Sequence, residues 1–349
     1  MGETLENKKI HYGTLDGLRS IAAIGIVMMH VSANVSYPLE GFFFRKLVAS
    51  FTDFVFLFMV ISGFSLCCGY YDQIVHQKLS LEQFYNKRFA KTWPYFAFLC
   101  ILDLILAPSV TSLLDVLANL TMGFGFIADH GIEVIGVGWF LGVVFVFYYT
   151  FPFFCYLLSK KSRAWLAMAA AVVLNVLCHV RFGLGRNSFV YCAMFFLAGG
   201  LVFLYKDALT RFADRFPWLV LGAMAAVAAV YYTVGPMDVT RLALAVLMLV
   251  CALRTPKGNH TFLCNPVTRQ LSAISMEIYL SHMVLFRVIE KFGMTHLVSS
   301  DVGSYFLTTL GTLLGTVVFA LVMRKLFGMA AACLKHVKNS RRNSLWQKN

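Results

Sequence analysis

Apolar stretches close to twenty residues long recur along this chain, and they limit the structures that it can form. A helix of about twenty residues crosses the roughly 30 Å of hydrocarbon in a bilayer. Hydrophobic residues make up 59% of the 349 residues and charged residues only 13%, which is too little polar surface to cover a water-soluble protein. The chain is therefore predicted to be an all-α, polytopic integral membrane protein.

The number of spans depends on one ambiguous stretch, residues 110–127, which is apolar but carries Asp115 and Asn119. If it does not span, ten helices remain, both termini are cytoplasmic, and 23 of the 30 Lys and Arg residues lie inside, as the positive-inside rule requires. We therefore predict about ten transmembrane helices and assign residues 108–138 to an external segment. This segment can re-enter the membrane only if protein or water covers its backbone. The ten predicted spans lie near residues 15–37, 47–71, 93–108, 139–159, 164–180, 189–205, 218–234, 239–253, 270–291 and 303–326.

No repeat or low-complexity stretch divides the chain, so one membrane domain is predicted over residues 15–328. Residues 1–14 are predicted to be a cytoplasmic segment without a cleavable apolar signal, and 329–349 a basic cytoplasmic tail near anionic lipid. The net charge of +13 falls in short clusters between apolar stretches, which indicates membrane topology and not a nucleic-acid partner. Nine scattered cysteines, none in a CxxC pair, are expected to pack as small apolar residues, and no metal site is predicted. No feature indicates an oligomeric state.

Ionisable side chains inside membrane spans are energetically costly, so they are candidates for function. Arg19 and His30 are eleven residues apart on the first helix, which places them on one face and about 16 Å apart along the axis. Ser275, Tyr279 and His282 share one face of the ninth helix, and His282 lies at a depth similar to that of His30. We therefore expect the two histidines to meet in one layer, although each could instead hydrogen-bond a neighbouring helix.

Other charged residues have two interpretations each. Arg88 and Lys91 lie at the predicted cytoplasmic end of the third span, just before Pro94, which is predicted to occupy the first turn of that span. Their positive charges either follow the positive-inside rule or bind a phosphorylated nucleotide. Asp53 and Asp103 lie within predicted spans, where a carboxylate can orient an imidazole, pair with Arg, or make a structural polar contact.

Five motifs in a fixed order resemble those of the membrane-bound acyltransferase 3 family. LDGLRSIAAIGIVMMH is similar to the family's first helix, in which a basic residue, ten other residues and a His follow one another. MVISGF resembles the run that closes in Ser-Gly-Phe, and ISMEIYLSH the late helix that ends in Tyr-Leu-x-His. Arg88, Lys91 and Pro94 resemble the family's Arg-x-x-Arg-x-x-Pro element, and Trp139, Phe140 and Leu141 its Trp-Phe-Leu. The set extends from residue 15 to residue 282 and so covers nearly the whole chain.

Three departures from the family pattern concern the site. Lys91 stands where the family usually has a second Arg, which keeps the charge but loses bidentate phosphate binding. Many members carry an acidic residue at the position of Phe56, whereas the nearest acid here is Asp53. No esterase-like extracytoplasmic domain follows, so the chain resembles single-domain members.

The resemblance implies acyl transfer, usually of acetyl, from cytoplasmic acetyl-CoA to a hydroxyl of an extracytoplasmic or lipid-linked glycan at a bacterial cytoplasmic membrane. His30 is then expected to be the general base or a transient acyl carrier, and Arg19 to anchor CoA or polarise its thioester. Arg88 and Lys91 are expected to bind the phosphates of the acyl-CoA donor. The substrate pocket is expected to be lined by Ser62, Asp53, Trp139, Tyr279 and His282.

Two functions from other classes remain as alternatives. A proton-coupled transporter or flippase also uses membrane-embedded His and acidic residues, although inverted repeats are not visible here. A non-catalytic membrane sensor on the same scaffold is the other alternative. Dependence on acyl-CoA distinguishes the enzyme from a transporter, and dispensable Arg19 and His30 would indicate a sensor.

Overall fold

The computed structural model describes residues 12–106, 108–127, 134–254 and 261–346. Within these ranges the structure is helical and contains no β-sheet. Helix α2 includes short π- and 3₁₀-helical turns, and the others are regular for most of their length. In chain order the helices are α1 (Gly13–Asn34), α2 (Phe43–Val75), α3 (Leu81–Leu106), α4 (Val110–Leu120), α5 (Trp139–Leu158), α6 (Lys161–Phe182), α7 (Phe189–Leu204), α8 (Lys206–Arg215), α9 (Pro217–Val234), α10 (Asp238–Ala252), α11 (Pro266–Ala273), α12 (Ser275–Lys291) and α13 (Asp301–Trp346).

Six of the described helices are long and apolar enough to cross a membrane: α1, α2, α5, α6, α9 and the Asp301–Cys333 part of α13. The number rises to eight if two bent pairs, α7 with α8 and α11 with α12, each form one span. Every one of the ten predicted spans overlaps a helix. Helices α3 and α10, which overlap the other two predicted spans, are not among these candidates, and α10 has only 15 residues.

Helix α13 distributes its side chains as expected for a helix in lipid. Thr308, Thr312 and Thr316, at intervals of four residues, are buried against the rest of the protein. Leu314 and Val318 face outward and are 57% and 60% exposed. Hydroxyls inside and large apolar side chains outside reverse the pattern of a soluble helix and suit a hydrocarbon environment. Together with the long apolar helices, this identifies an integral membrane protein.

Helix α3 begins at Leu81, earlier than the predicted span, because Ser80 and Gln83 form a reciprocal cap. The Ser80 hydroxyl accepts a hydrogen bond from the Gln83 backbone N–H at 3.1 Å, and the Gln83 side chain accepts one from the Ser80 N–H at 3.3 Å. This capping box stabilises the first turn in a polar stretch that hydropathy alone does not identify as helical. Pro94 consequently lies inside the helix, and the prediction that it occupies the first turn was wrong.

Within residues 108–127 the structure contains only short helical segments, and the longest of them, α4, is not among the helices long enough to cross a membrane. Helix α4 has 11 residues, so it is only about 16 Å long. It folds back along α3, where the Trp93 indole N–H donates to the Leu120 carbonyl at 2.8 Å. Residues 128–133 of the predicted external segment lie outside the described residues.

Helix α5 runs antiparallel to α3 and begins beside its middle. The rings of Tyr85 and Tyr149 lie 6.1 Å apart, and those of Phe89 and Phe145 lie 5.2 Å apart. Extending this register places Trp139, the first residue of α5, near position 95 of α3. Residues 134–138, which precede α5, therefore lie beside α3, and the half-buried Trp139 lies level with the middle of that helix.

Helix α1 lies at the centre of the bundle and contacts α2, α10, α11, α12 and α13. The approach to the segment before α11 is close, because a Cβ on Gly17 would lie 2.2 Å from the Leu263 carbonyl oxygen. Thr14 adds a hydrogen bond from its hydroxyl to the Ala252 carbonyl at the end of α10. Arg19 and His30 on α1 can therefore reach side chains from several helices.

Candidate functional site

A cavity of about 430 Å³ opens beside the first turns of α1 and extends between α2, α3, α5, α11 and α12. Four cationic side chains line it, and Asp16 is the only carboxylate among its described lining residues. The excess of positive charge makes this cavity suitable for an anionic ligand. The four cations are Arg19, Arg88, Lys91 and Arg269.

Arg19 is oriented by contacts with α2 and with a carboxylate of its own helix. Its guanidinium donates to the Ser65 hydroxyl of α2 at 2.5 Å and lies 3.6 Å from the Asp16 carboxylate one turn earlier. Asp16 in turn accepts a hydrogen bond from the Ser272 hydroxyl of α11 at 2.8 Å. These contacts fix the position of the guanidinium and leave several of its N–H groups free to bind a ligand.

Arg88 enters the cavity from α3 between two tyrosines. It donates to the Tyr70 hydroxyl at 2.6 Å, and its Cζ lies 4.7 Å from the Tyr70 ring centroid and 5.8 Å from that of Tyr148. Its Nε is buried and has no hydrogen-bond partner among the described residues. A charged donor held by aromatic rings with an unsatisfied N–H suits a phosphate or carboxylate ligand.

The sequence motifs place Arg88 and Lys91 in one site, whereas Arg269 belongs to none of these motifs. Arg269 lies on the short helix α11, which Asn265 caps through a hydrogen bond from the Thr268 N–H at 3.0 Å. The break between α11 and α12 bends the chain by 71° and carries Arg269 over the cavity. Asn265 followed three residues later by Thr268, with Pro266 between them, is the local signal that could have identified this separate helix.

The two histidines meet between α1 and α12, as their depths predict. The ring centroids of His30 and His282 are 5.0 Å apart, and the ring planes are inclined by 50°. His282 is fully buried, whereas His30 is half-buried. The His282 Nδ1 lies 2.7 Å from the Tyr279 carbonyl oxygen and 3.3 Å from that of Ile278.

An aromatic wall lies between the cavity and the two histidines. Phe140 and Tyr279 both line the cavity, with their ring centroids 5.1 Å apart. The Tyr279 ring is 6.1 Å from that of His282 on its other side. Ser62 lines the cavity from α2, while neither histidine is among the described lining residues. The cavity therefore ends one side chain away from the histidine pair.

Arg186, in the loop between α6 and α7, packs over the start of α5. Its guanidinium donates to the Thr52 hydroxyl at 2.7 Å, and its Cζ lies 5.3 Å from the Trp139 ring centroid. Trp139 in turn packs edge-on against Phe140 at 6.0 Å. Trp139 was a predicted pocket residue, whereas Arg186 lies in no recognised motif. Trp139 contacts the aromatic wall through Phe140 and is not among the described lining residues of the basic cavity.

Asp53 lies apart from the cavity and from the histidines. Its carboxylate accepts hydrogen bonds from the Arg241 side chain at 2.9 Å and from the Tyr231 hydroxyl at 2.6 Å. Arg241 also pairs with Asp238 at 2.8 Å. Three roles were left open for Asp53, and the structure shows the pairing with an arginine, Arg241. The resulting network joins α2 to α9 and α10.

Within the described parts of the chain, no group of three His, Cys, Asp or Glu side chains is arranged to hold a metal ion. Fold and site together define a helical membrane protein with a basic cavity that ends beside a pair of histidines. A model of the acyltransferase 3 family, described as an acyltransferase domain, matches residues 12–324, and the chain belongs to this family. Neither the proteins of curated function nor the solved structures include a significant match. Family membership identifies the protein as a membrane acyltransferase.

Proposed function

We propose that this protein transfers an acyl group, acetyl in the simplest case, from cytoplasmic acyl-CoA to a hydroxyl of an extracytoplasmic or lipid-linked glycan. His30 is the general base in this proposal. Ten helices cross the bacterial cytoplasmic membrane, and both termini are cytoplasmic. The observation that carries the proposal is the cavity itself, whose four cations lie at one end and whose aromatic end adjoins the histidine pair.

The basic end of the cavity suits the phosphates of acyl-CoA. Arg88 and Arg269 approach it from α3 and α11, and Arg19 and Lys91 complete the set. Arginine forms paired hydrogen bonds to phosphate oxygens, and lysine adds a point charge. Arg19 lies about 16 Å from His30 along α1, too far to polarise a thioester held at the imidazole. We therefore assign Arg19 to anchoring a phosphate.

The apolar end of the cavity suits the thioester. The extended arm of the donor reaches past Ser62 and between Phe140 and Tyr279 to the histidine pair. Movement of the Phe140 and Tyr279 side chains opens this route. The acceptor hydroxyl approaches from the opposite side, past Trp139 and the Arg186 loop. Donor and acceptor thus meet at His30 from the two sides of the membrane.

The chemistry requires one base at the meeting point. The acceptor oxygen attacks the thioester carbonyl while the neutral His30 imidazole takes the hydroxyl proton. The new C–O bond forms, the C–S bond breaks, and the CoA thiolate leaves with the proton that the imidazolium returns. A positioned general base of this kind typically contributes about 10²- to 10⁴-fold to the rate.

Mass spectrometry of the host's envelope glycans tests the proposal. Cells that express the native protein, the His30→Ala protein or neither are compared, with the amount of protein in the membrane measured in each. We expect one added acetyl mass per modified sugar only with the native protein. Equal acetylation by His30→Ala would remove His30 from the mechanism, and unchanged glycans with native protein would exclude a glycan acceptor in that envelope.

A further inference from the structure

One ring nitrogen of His282 is buried and has no hydrogen-bond partner among the described residues. Its Nδ1 faces the Tyr279 and Ile278 carbonyl oxygens, and a carbonyl oxygen only accepts, so Nδ1 carries the hydrogen of the neutral ring. The Nε2 atom then holds a lone pair. The side chain is 0% exposed, and no donor among the described residues reaches Nε2. An unsatisfied buried acceptor of this kind is unfavourable unless another state of the protein uses it.

His30 is the neighbouring group able to supply that donor. Its ring centroid is 5.0 Å from that of His282, and neither of its ring nitrogens has a hydrogen-bond partner among the described residues. Of the four ring nitrogens in the pair, only His282 Nδ1 has a hydrogen-bond partner among the described residues. With the ring centroids 5.0 Å apart, rotation of the His30 ring can direct the single N–H of the neutral imidazole at Nε2.

We propose that His282 is the positioning residue for His30, with the α12 carbonyls, the two imidazoles and the acceptor hydroxyl forming one chain of hydrogen bonds. The inference rests on the acyl transfer proposed above. In this chain the Tyr279 carbonyl accepts from His282 Nδ1–H, and His282 Nε2 accepts from an N–H of His30. The other nitrogen of His30 is thereby left with its lone pair toward the acceptor hydroxyl.

This arrangement gives His282 a role during the reaction as well as before it. When His30 takes the hydroxyl proton, both of its nitrogens carry hydrogen, and the bond to His282 Nε2 becomes charge-assisted. A base held in the correct tautomer by a third group is the general logic of catalytic triads, in which a carboxylate often serves. Here a second histidine, itself fixed by backbone carbonyls, takes that place without adding a charge to the membrane interior.

Two substitutions separate the two nitrogens of His282. The amide of His282→Asn can replace Nδ1–H at the Tyr279 carbonyl but leaves the Nε2 position empty. The amide of His282→Gln reaches the Nε2 position, where its oxygen can accept from His30, and gives up the bond to α12. We expect kcat to fall roughly 10- to 100-fold in His282→Asn, as for other residues that orient a functional histidine. We expect His282→Gln to retain several times more activity, and both to keep the native KM for acetyl-CoA.

The result that overturns the proposal is equal or greater activity of His282→Asn relative to His282→Gln, since that would assign the role to Nδ1 or to packing. Thermal unfolding in detergent shows whether both variants are folded. His296→Gln is a control that removes another histidine, whose ring bonds Asp301 at 3.0 Å outside the site. It is expected to transfer acetyl like the native protein.

A second measurement does not depend on activity. Nitrogen-15 NMR of protein with labelled histidine rings, assigned with the His282→Gln variant, reports which nitrogen carries hydrogen. We expect His282 to be protonated at Nδ1 and its Nε2 signal to shift when His30 is replaced by Ala. Hydrogen on Nε2, or no response to His30→Ala, would refute the proposal even if acyl transfer is established. If the NMR result is as expected but the native protein transfers no acyl group, only the proposed function is refuted.

Discussion

Arg19 is held by contacts that leave part of its guanidinium free for a ligand. Ser65 and Asp16 bind one side of it, and the other side faces the cavity. Arg88 is held in a comparable way by Tyr70, so two fixed guanidiniums enter one space from different helices. A ligand with several anionic oxygens can therefore bind without first ordering these long side chains, which lowers the entropic cost of binding.

Replacement of Arg88 by Gln tests the proposed phosphate site. We expect KM for acetyl-CoA to rise about 10- to 100-fold, because a hydrogen bond to a charged group contributes roughly 1.5 to 3 kcal/mol. The change in kcat should be much smaller, since a phosphate far from the reacting bond is bound equally in the ground and transition states. Initial rates with purified protein in proteoliposomes, at varied acetyl-CoA, measure both constants.

The neighbouring residue provides the matched control. Lys87 is an exposed cation next in sequence to Arg88 and is not among the described lining residues of the cavity. Lys87→Gln removes the same charge and should leave KM within about twofold of the native value, because exposed charges are screened. A similar rise of KM in both variants would mean that general surface charge, not this site, attracts the donor.

Local periodicity predicts which residues share a helix face, and it does not predict contacts between distant helices. The eleven-residue spacing on α1 placed Arg19 and His30 on one stripe, and comparable depths brought His282 to His30. Local periodicity could not predict the partner of Asp53, because Arg241 lies on a helix far along the chain and no local pattern links the two residues. The roles assigned to the individual residues remain predictions for the experiments above.

At the level of helices, α2 and α7 pack with their backbones almost in contact. A Cβ on Gly63 would lie 2.3 Å from the Phe196 carbonyl oxygen, and one on Gly199 would lie 2.1 Å from the Val60 carbonyl oxygen. Such close approach through small residues gives van der Waals contact where lipid offers no hydrophobic driving force between helices. Since α2 also carries Ser62 and Ser65, this contact fixes one wall of the cavity.

Substitution of Gly199 by Ala should force α2 and α7 apart. We expect the free energy of unfolding to fall by roughly 1 to 3 kcal/mol, as for other overpacked positions, because the obstructing atom belongs to the backbone and cannot rotate away. Thermal unfolding in detergent measures the effect. Gly222→Ala on α9, where a Cβ would meet no atom within 4 Å, is the control and should be neutral or slightly stabilising. Equal stability of the two variants would contradict this packing.

Hydropathy located helices better than it located their ends. The start of α3 was missed because the capping box of Ser80 and Gln83 stabilises a helix that begins in polar sequence. The break between α11 and α12 was missed for a similar reason, since Asn265 caps a helix of eight residues that an apolar window merges with the next. Side-chain bonds to the backbone decide such boundaries, and average hydropathy does not include them.

At the scale of the whole molecule, charge distribution predicts the direction of each helix but not its neighbours. The positive-inside rule has no term for packing, so the central position of α1 could not be predicted from it. The structure shows α1 in contact with helices from both ends of the chain.

Cysteine labelling tests the proposed orientation of the bundle. Cys333 is exposed at the end of the Asp301–Cys333 part of α13, and Ser299 is exposed in the loop before the start of that helix. In intact spheroplasts, a membrane-impermeant maleimide should label a Ser299→Cys, Cys333→Ala protein. The native Cys333 should react only after the membrane is permeabilised. The reverse pattern would invert the topology and place the basic cavity on the outer side.

The contacts of α1 also have a consequence for biosynthesis. Helices α11, α12 and α13, which cover one side of α1, begin only at Pro266. At about 5 to 20 residues per second, a ribosome completes them roughly 15 seconds to a minute after α1 has been made. Throughout that interval His30 lacks His282, its neighbour on α12, in a membrane that disfavours exposed polar groups. We therefore expect α1 to stay at the insertion machinery, or beside α2, until the last quarter of the chain arrives.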